Sequence, residues 1–347
     1  MRLVFLGVAG ITLMFSILSS SALSQTQAIQ DSDRALWRSK LQDNPFGSRL
    51  NEEGEDLSVD YLSSDELEDA GPQYLLLTAP RRQWVQAYFD SQYFYTSNVF
   101  QQEEPGGDEA VDTGVLVSTA QLAIAPDAFE ISPRVKLAPQ VGYQHQWFNY
   151  GLDKTSNSLN NLDFDSQMVF TELGVIIDEN WTIDFGFEWT RLLGHETSDN
   201  YAEFYKEYRP RWSIERRIPL EENMLVRLRY EGSYRITEVD PTIITGGNIH
   251  RNDRHDHAFT FIYSYMPIDR FIVQPFLRYQ LTQYTENPNQ ERTDHLFSGG
   301  LSLSYYFTSW IGTRAFFNYI NQQSDDTQVA DYEKWDGGGG LSVFLKF

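Results

Sequence analysis

The sequence predicts an all-β fold, closed as a single transmembrane antiparallel barrel of about twelve strands behind a short acidic extension. Three observations predict it. From Gln83 to Phe347 the chain repeats stretches in which apolar and polar residues alternate, and a strand's side chains alternate between its two faces. Aromatic residues make up 15% of the chain, and they recur at the ends of those stretches. The connections between stretches alternate short and long, as in membrane barrels with short turns at one rim and long loops at the other.

The 347 residues suffice for one large domain and an extension. With no cysteine, disulfides, thiolate metal sites and a cysteine nucleophile are excluded. A net charge of −22 disfavours nucleic acid as a partner. Mean hydropathy is −0.45, yet a barrel shows only half of each strand to lipid, so its average reads as soluble.

Residues 1–24 read as a signal peptide: Met1-Arg2 is the positive start, Leu3 to Leu18 the apolar run, and Ala22-Leu23-Ser24 the small-x-small site before Gln25. An anchoring helix is the other reading, since Leu3 to Leu23 is long enough to span a bilayer. Residues 25–80 carry twelve acids against Arg34, Arg38, Lys40 and Arg49 and read as a flexible periplasmic segment, with a short helix over Asp33 to Leu41. The barrel is expected over 81–347.

The clearest stretch sets Trp181, Ile183, Phe185, Phe187 and Trp189 against Thr182, Asp184, Gly186, Glu188 and Thr190, with a Trp at each end of the apolar band. Another sets Val226, Leu228, Tyr230, Tyr234 and Ile236 outward against Arg227, Arg229, Glu231, Ser233 and Arg235. Residues 271–282 and 297–307 follow the same rule. Further strands are expected near 83–99, 111–125, 133–149, 163–177, 203–217, 256–266, 310–321 and 337–347. In the last, Leu341, Val343, Leu345 and Phe347 share one face and Ser342 and Lys346 the other, with Phe344 an exception. Pro139, Pro210 and Pro275 each remove a ladder donor, so each is expected at a bulge or a local break in pairing. The glycines from 337 to 340 are expected to let the closing strand bend or approach its neighbour closely. The segment from Pro241 to Gly247 is an outer loop, or a constriction folded inward.

If the apolar face meets lipid, the polar face lines the interior. Arg134, Lys136, Arg209, Arg211, Arg227, Arg229, Arg235, Arg278 and Arg314 then form a basic pore lining. Guanidinium forks match carboxylates and phosphates, so such a lining would pass anions in steps. The inward acids Asp90, Glu172, Asp184, Glu188, Glu207, Glu215 and Glu231 support a second reading, an internal salt-bridge network that carries nothing. Twelve strands lie between a filled small barrel and a wide channel.

The closing strand with its terminal aromatic resembles the sorting signal of bacterial outer-membrane β-barrels, with Ser342 where such signals often carry glycine. Ser97-Asn98-Val99-Phe100 resembles a string in the first hairpin of outer-membrane β-barrel porin families loosely linked to exopolysaccharide export. The arginine-lined interior resembles small twelve-stranded channels for acidic oligosaccharides. These resemblances imply an outer-membrane location, assembly by the barrel assembly machinery through the strand ending at Phe347, and outer-membrane lipid as surroundings. They carry over no catalytic or binding residue.

Outer-membrane phospholipases carry a His-Asp-Ser-Asn-Gly stretch; the nearest string here, Arg254-His255-Asp256-His257-Ala258, lacks its serine and glycine. The same histidines with His250 and Asp253 would suit a divalent metal in an outer loop. The expectation is a non-enzymatic porin-like channel for small anionic solutes or acidic saccharides, with no cofactor and no metal. The alternatives are a closed structural or adhesive barrel, and an outer-membrane enzyme.

Overall fold

The computed structural model describes residues 84–347, except 100–111, 153–161, 179, 196–200, 242–246, 309, 328 and 330. The expected leader and acidic segment, and most of the segment from Pro241 to Gly247, lie outside the described residues.

The strands are β1 (Val85–Thr96), β2 (Thr113–Ile124), β3 (Phe129–Ser132), β4 (Val135–Tyr150), β5 (Phe164–Ile177), β6 (Trp181–His195), β7 (Tyr201–Glu221), β8 (Met224–Val239), β9 (Arg254–Ile268), β10 (Phe271–Tyr284), β11 (Thr293–Tyr306), β12 (Ile311–Ser324) and β13 (Tyr332–Lys346). Twelve of them make one closed antiparallel ring, in which β2 pairs with β4 and β13 pairs back onto β1. The thirteenth, β3, was not expected. It pairs only with the start of β4 through a turn at Pro133-Arg134, which lengthens β4 beyond the reach of β2. Four residues beside a proline are too few for a period-two signal to stand out.

The seam closes in regular register from Gln86↔Lys346 to Thr96↔Asp336. Beyond it, Val85 and Phe347 donate to each other's carbonyl oxygens at 3.1 and 2.8 Å. Gly338 and Gly340 bring β13 close to β1: a Cβ on Gly340 would lie 2.7 Å from the Ser91 carbonyl oxygen and 2.8 Å from the Gln92 Cβ. At Gly337 the nearest atom would be 3.7 Å away.

The three prolines fall where pairing lapses on one side. Pro139 stays in register with Leu173 on β5, and its other side is the gap between the β3 and β2 pairings. Pro210 keeps its place opposite Phe187 on β6, while the β7–β8 ladder skips from Tyr208 to Arg211. Pro275 pairs with Leu301 on β11, and the β10–β9 ladder skips from Val273 to Phe276. Each ring therefore tolerates its proline without losing register.

The strand ends joined by short connections (Ile177 to Trp181, Glu221 to Met224, Ile268 to Phe271 and Tyr306 to Ile311) lie at one rim with the β2–β4 link and the seam ends; the strand ends joined by longer connections lie at the other. Predicted loops shrink where strands run further: β13 begins at Tyr332 and β12 reaches Ser324. The outward face is apolar and bare, with Phe89, Leu122, Val141, Val169, Phe185, Leu228, Phe261, Leu277 and Leu301 all exposed. Trp84, Trp181 and Trp310 ring the short-turn rim, and Trp147 and Trp335 stand toward the loop rim, the girdle that a lipid interface favours.

Gly340→Ala is expected to destabilise the barrel by about 1–3 kcal/mol, the usual range for overpacking, and Gly337→Ala by less than about 0.5 kcal/mol. Urea midpoints of the two variants, followed by the heat-modifiable shift of the folded band, check the contrast.

Candidate functional site: the charged lumen

The inward face holds three apolar clusters and one charged layer. Toward the loop rim, Val99, Val117, Phe148, Phe164, Leu192, Phe204 and their neighbours fill the side lined by β1 to β8. Toward the short-turn rim, Leu225, Met266, Ile272, Tyr306, Tyr88 and Phe344 fill the side lined by β8 to β1. Phe344 broke the alternation of the closing strand because it belongs to this cluster. A smaller group, Ala123, Met168 and Phe170, sits against β2 and β5. The larger clusters are staggered on opposite sides, so the inward polar side chains form a diagonal column between them. It runs from Arg292, Asp294, Arg254 and Asp256 near the loop rim, through β6 to β8, to Glu215, Arg217 and Arg227 near the short-turn rim.

Strand register decides who meets whom in that column. Glu188 and Arg209 are opposite one another on β6 and β7, and their charged ends are 3.0 Å apart. Arg211 Nε also reaches Glu188 at 2.9 Å, and its Nη2 donates to Glu172 Oε2 on β5 at 2.5 Å. To reach Glu172 the guanidinium crosses β6, and Gly186 is the residue it crosses: a Cβ there would stand 3.1 Å from Arg211 Nε. Arg235 bridges Glu207, at 3.0 Å, and Asp256. Tyr205 donates to Glu207 at 2.7 Å and Thr282 to Asp256 at 2.7 Å, so the carboxylates are further satisfied. Arg314 donates to Gln92 at 2.8 Å and lies 3.7 Å from Asp90, which accepts from Ser342 at 2.6 Å.

The nine expected lining residues separate accordingly. Arg209, Arg211, Arg227, Arg235 and Arg314 are buried inside, and Arg229 and Arg278 are partly buried there. Arg229 donates to Glu231 at 3.1 Å and Arg278 to Gln280 at 3.2 Å. Lys136 has inward parity but lies at the short-turn rim, partly buried. Arg134 does not belong to the wall: it occupies the β3–β4 turn, its side chain is 81% exposed, and it faces Asp178 at 3.7 Å. The added β3 hairpin carries it past the end of the ring.

The expected arginine column is thus mostly paired with the inward acids. Arg227 differs. It is 2% exposed, and none of its three guanidinium nitrogens has a hydrogen-bond partner among the described residues. Across the ladder it stands directly opposite Arg217, while Glu215 stands opposite Arg229. Arg217 donates to Glu215 at 3.1 Å.

Several inward charges escaped the sequence reading. Arg217 shares the parity of Arg209 and Arg211, which was the signal available for it. Arg254, Asp256, Lys334 and Asp336 are buried in the wall, although their segments read as strand ends or loop. With β9 starting at Arg254, alternation sends His255 and His257 outward, where they meet Tyr234 and Tyr230. The histidines and acids suggested for a metal therefore do not converge, and no group of three or more such ligands forms among the described residues. In the outer connection, burial and the neighbouring Arg292 charge hold Arg251 below the usual guanidinium range.

A closed ring with a bare apolar outside, interfacial Trp and a charged interior defines a transmembrane β-barrel of the bacterial outer-membrane class. No family model and no curated protein matches the chain in sequence. Among solved structures, an outer-membrane channel from Pseudomonas putida F1 is 11% identical, with TM-score 0.49, covering 79% of this chain and 100% of that one. The NanC porin is 12% identical, with TM-score 0.42 and coverage of 74% and 98%. The β domain of the Bordetella autotransporter BrkA is 11% identical, with TM-score 0.43 and coverage of 75% and 98%. These likenesses are of barrel architecture and assign no residue.

Arg211→Met leaves Glu172 without its buried partner and is expected to destabilise the barrel by about 3–5 kcal/mol. Combining it with Glu172→Gln should recover much of that loss. Urea titrations of the wild type, the single and the double variant in one detergent decide the matter. A double variant no more stable than the single one would show that the stranded carboxylate is not the cause.

Proposed function

We propose that the chain is an outer-membrane channel for the passive passage of small anionic solutes or acidic saccharides, with its short-turn rim and N-terminal segment in the periplasm. The observation that carries this reading is the diagonal column of buried polar side chains, whose members reach from Arg292 and Arg254 near the loop rim to Arg217 and Arg227 near the short-turn rim, beside both large apolar clusters. A solute in it exchanges one set of guanidinium and carboxylate partners for the next, so no step strips it of polar contacts. Three guanidinium groups, Arg217, Arg227 and Arg229, around the single carboxylate Glu215 tilt the short-turn end of the column toward anions. NanC is a porin and the Pseudomonas protein a channel, which accords with this reading without supplying a substrate.

A closed barrel that presents its loops is the second reading, and the dense pairing of Arg209, Glu188, Arg211 and Glu172 favours it. Its outer connections are tied together, with Asn248 donating to the Asn287 carbonyl at 2.7 Å and Asn289 to that of Arg251 at 2.9 Å. Such a barrel would use the charges for stability alone.

Planar-bilayer recording of the refolded full chain under a salt gradient separates the two. Steady openings with an anion-selective reversal potential are expected. Absence of conductance from a folded, heat-modifiable barrel would overturn the channel and leave the closed barrel.

A further inference from the structure

We propose that Arg227, flanked by Arg217 and Arg229, is an anion-binding subsite that takes the carboxylate of a small organic anion, one per barrel. This deepens the channel reading and rests on it only for the role of the site in transport.

The argument begins with the ladder. Two like charges directly opposite on neighbouring strands destabilise a sheet, yet Arg217 and Arg227 are so placed, with Arg229 two residues further along β8. Glu215 is the carboxylate at their centre, and Arg217 takes it at 3.1 Å. Arg229 is taken by Glu231 at 3.1 Å. Arg227 hydrogen-bonds to neither, although Glu215 attracts it, and its Nε, Nη1 and Nη2 are all buried and unbonded among the described residues. A buried ionic group is normally paired, because removal from water penalises the charge. Arg217, Arg227 and Arg229 thus share two carboxylates, Glu215 and Glu231, so this group is short by one negative charge.

The chemistry of a ligand for this group follows from the fork. A guanidinium offers parallel N–H donors that match the two oxygens of a carboxylate. The surroundings limit the rest of the ligand. Ile262 on β9 faces Arg227 across the ladder, and Leu225 and Met266 of the apolar cluster adjoin it on the short-turn side. Arg217 and Arg229, which flank Arg227, are more accessible than it is, each with 13% of its side chain exposed. A compact acid whose carboxylate passes from these two to Arg227 fits that arrangement.

The test uses the refolded full chain in zwitterionic micelles, titrated calorimetrically with sodium glucuronate, with glucose as the neutral control. Saturable binding near one glucuronate per barrel is expected, with no heat from glucose. Arg227→Met should weaken binding at least tenfold while keeping or raising the urea midpoint, since it removes a buried charge that makes no hydrogen bond and faces two other arginines. Arg134→Met, which removes a positive charge at the same rim outside the wall, should bind as the wild type does. Absence of saturable binding to the folded wild type, unchanged binding in Arg227→Met, or a fall in the urea midpoint of that variant would each overturn the subsite. Conductance without glucuronate binding would sink the subsite and spare the channel; binding without conductance would do the reverse.

Discussion

Everything in this barrel depends on ring closure. In lipid no water is present to satisfy a free backbone edge, so a sheet can cross only if its first and last strands pair. Here that duty falls on β1 and β13, the strands furthest apart in sequence. Their ladder is unbroken over its whole length, and it is finished by the reciprocal bonds of Val85 and Phe347. The glycines at 338 and 340 face inward on β13 against Phe94 and Gln92. At the seam, packing space is given up so that backbone pairing is complete.

Closure alone does not say which face is outside. Lipid tails and an apolar core are equally hospitable to Leu or Phe, so burial of apolar surface cannot orient a strand here as it would in water. The inward charges do. A one-residue slip of β7 would turn Arg209 and Arg211 toward lipid, where each would be penalised by about 2–4 kcal/mol at the midplane, and would turn Trp212 inward. Period-two alternation makes the slip all-or-none for a strand. The salt-bridge layer across β5 to β9 thus fixes register and face together. Its pairs bond across one or two strands, so each also checks the register of a neighbour: Arg211 reaches Glu172 only when Gly186 lies between them.

Alternation made the strands and their faces legible in the sequence, down to the single exception at Phe344. Proline positions foretold where the ladders lapse. What remained hidden was pairing. Nothing in the stretch containing Arg211 says that it crosses a strand to Glu172, or that Arg235 bridges Glu207 on one neighbouring strand and Asp256 on the other, because those meetings are set by the stagger between strands. Strand ends were hidden for another reason. Arg254, Lys334 and Asp336 sit in polar surroundings that look like loop, and only their pairing partners show that the wall extends so far. Arg134 failed in the opposite sense: its parity pointed inward, but a short hairpin absent from the sequence pattern carries it beyond the ring.

The apolar clusters bear on conduction more than the arginines do. A full-width apolar layer across a narrow lumen excludes water and closes the path to ions. In this barrel the two large clusters are offset, one against β1 to β8 near the loops and the other against β8 to β1 near the turns. The polar route changes sides as it descends, and it does so in the middle layer, where Arg209, Arg211 and Arg235 are closest to their carboxylates. A charge crossing there needs a partner at every point, and the paired side chains supply one of each sign. The density of pairing that argues for a closed barrel is therefore also what a narrow, fully lined path would require. The difference between the two lies in whether those pairs exchange, which is a matter of their mobility rather than of their geometry.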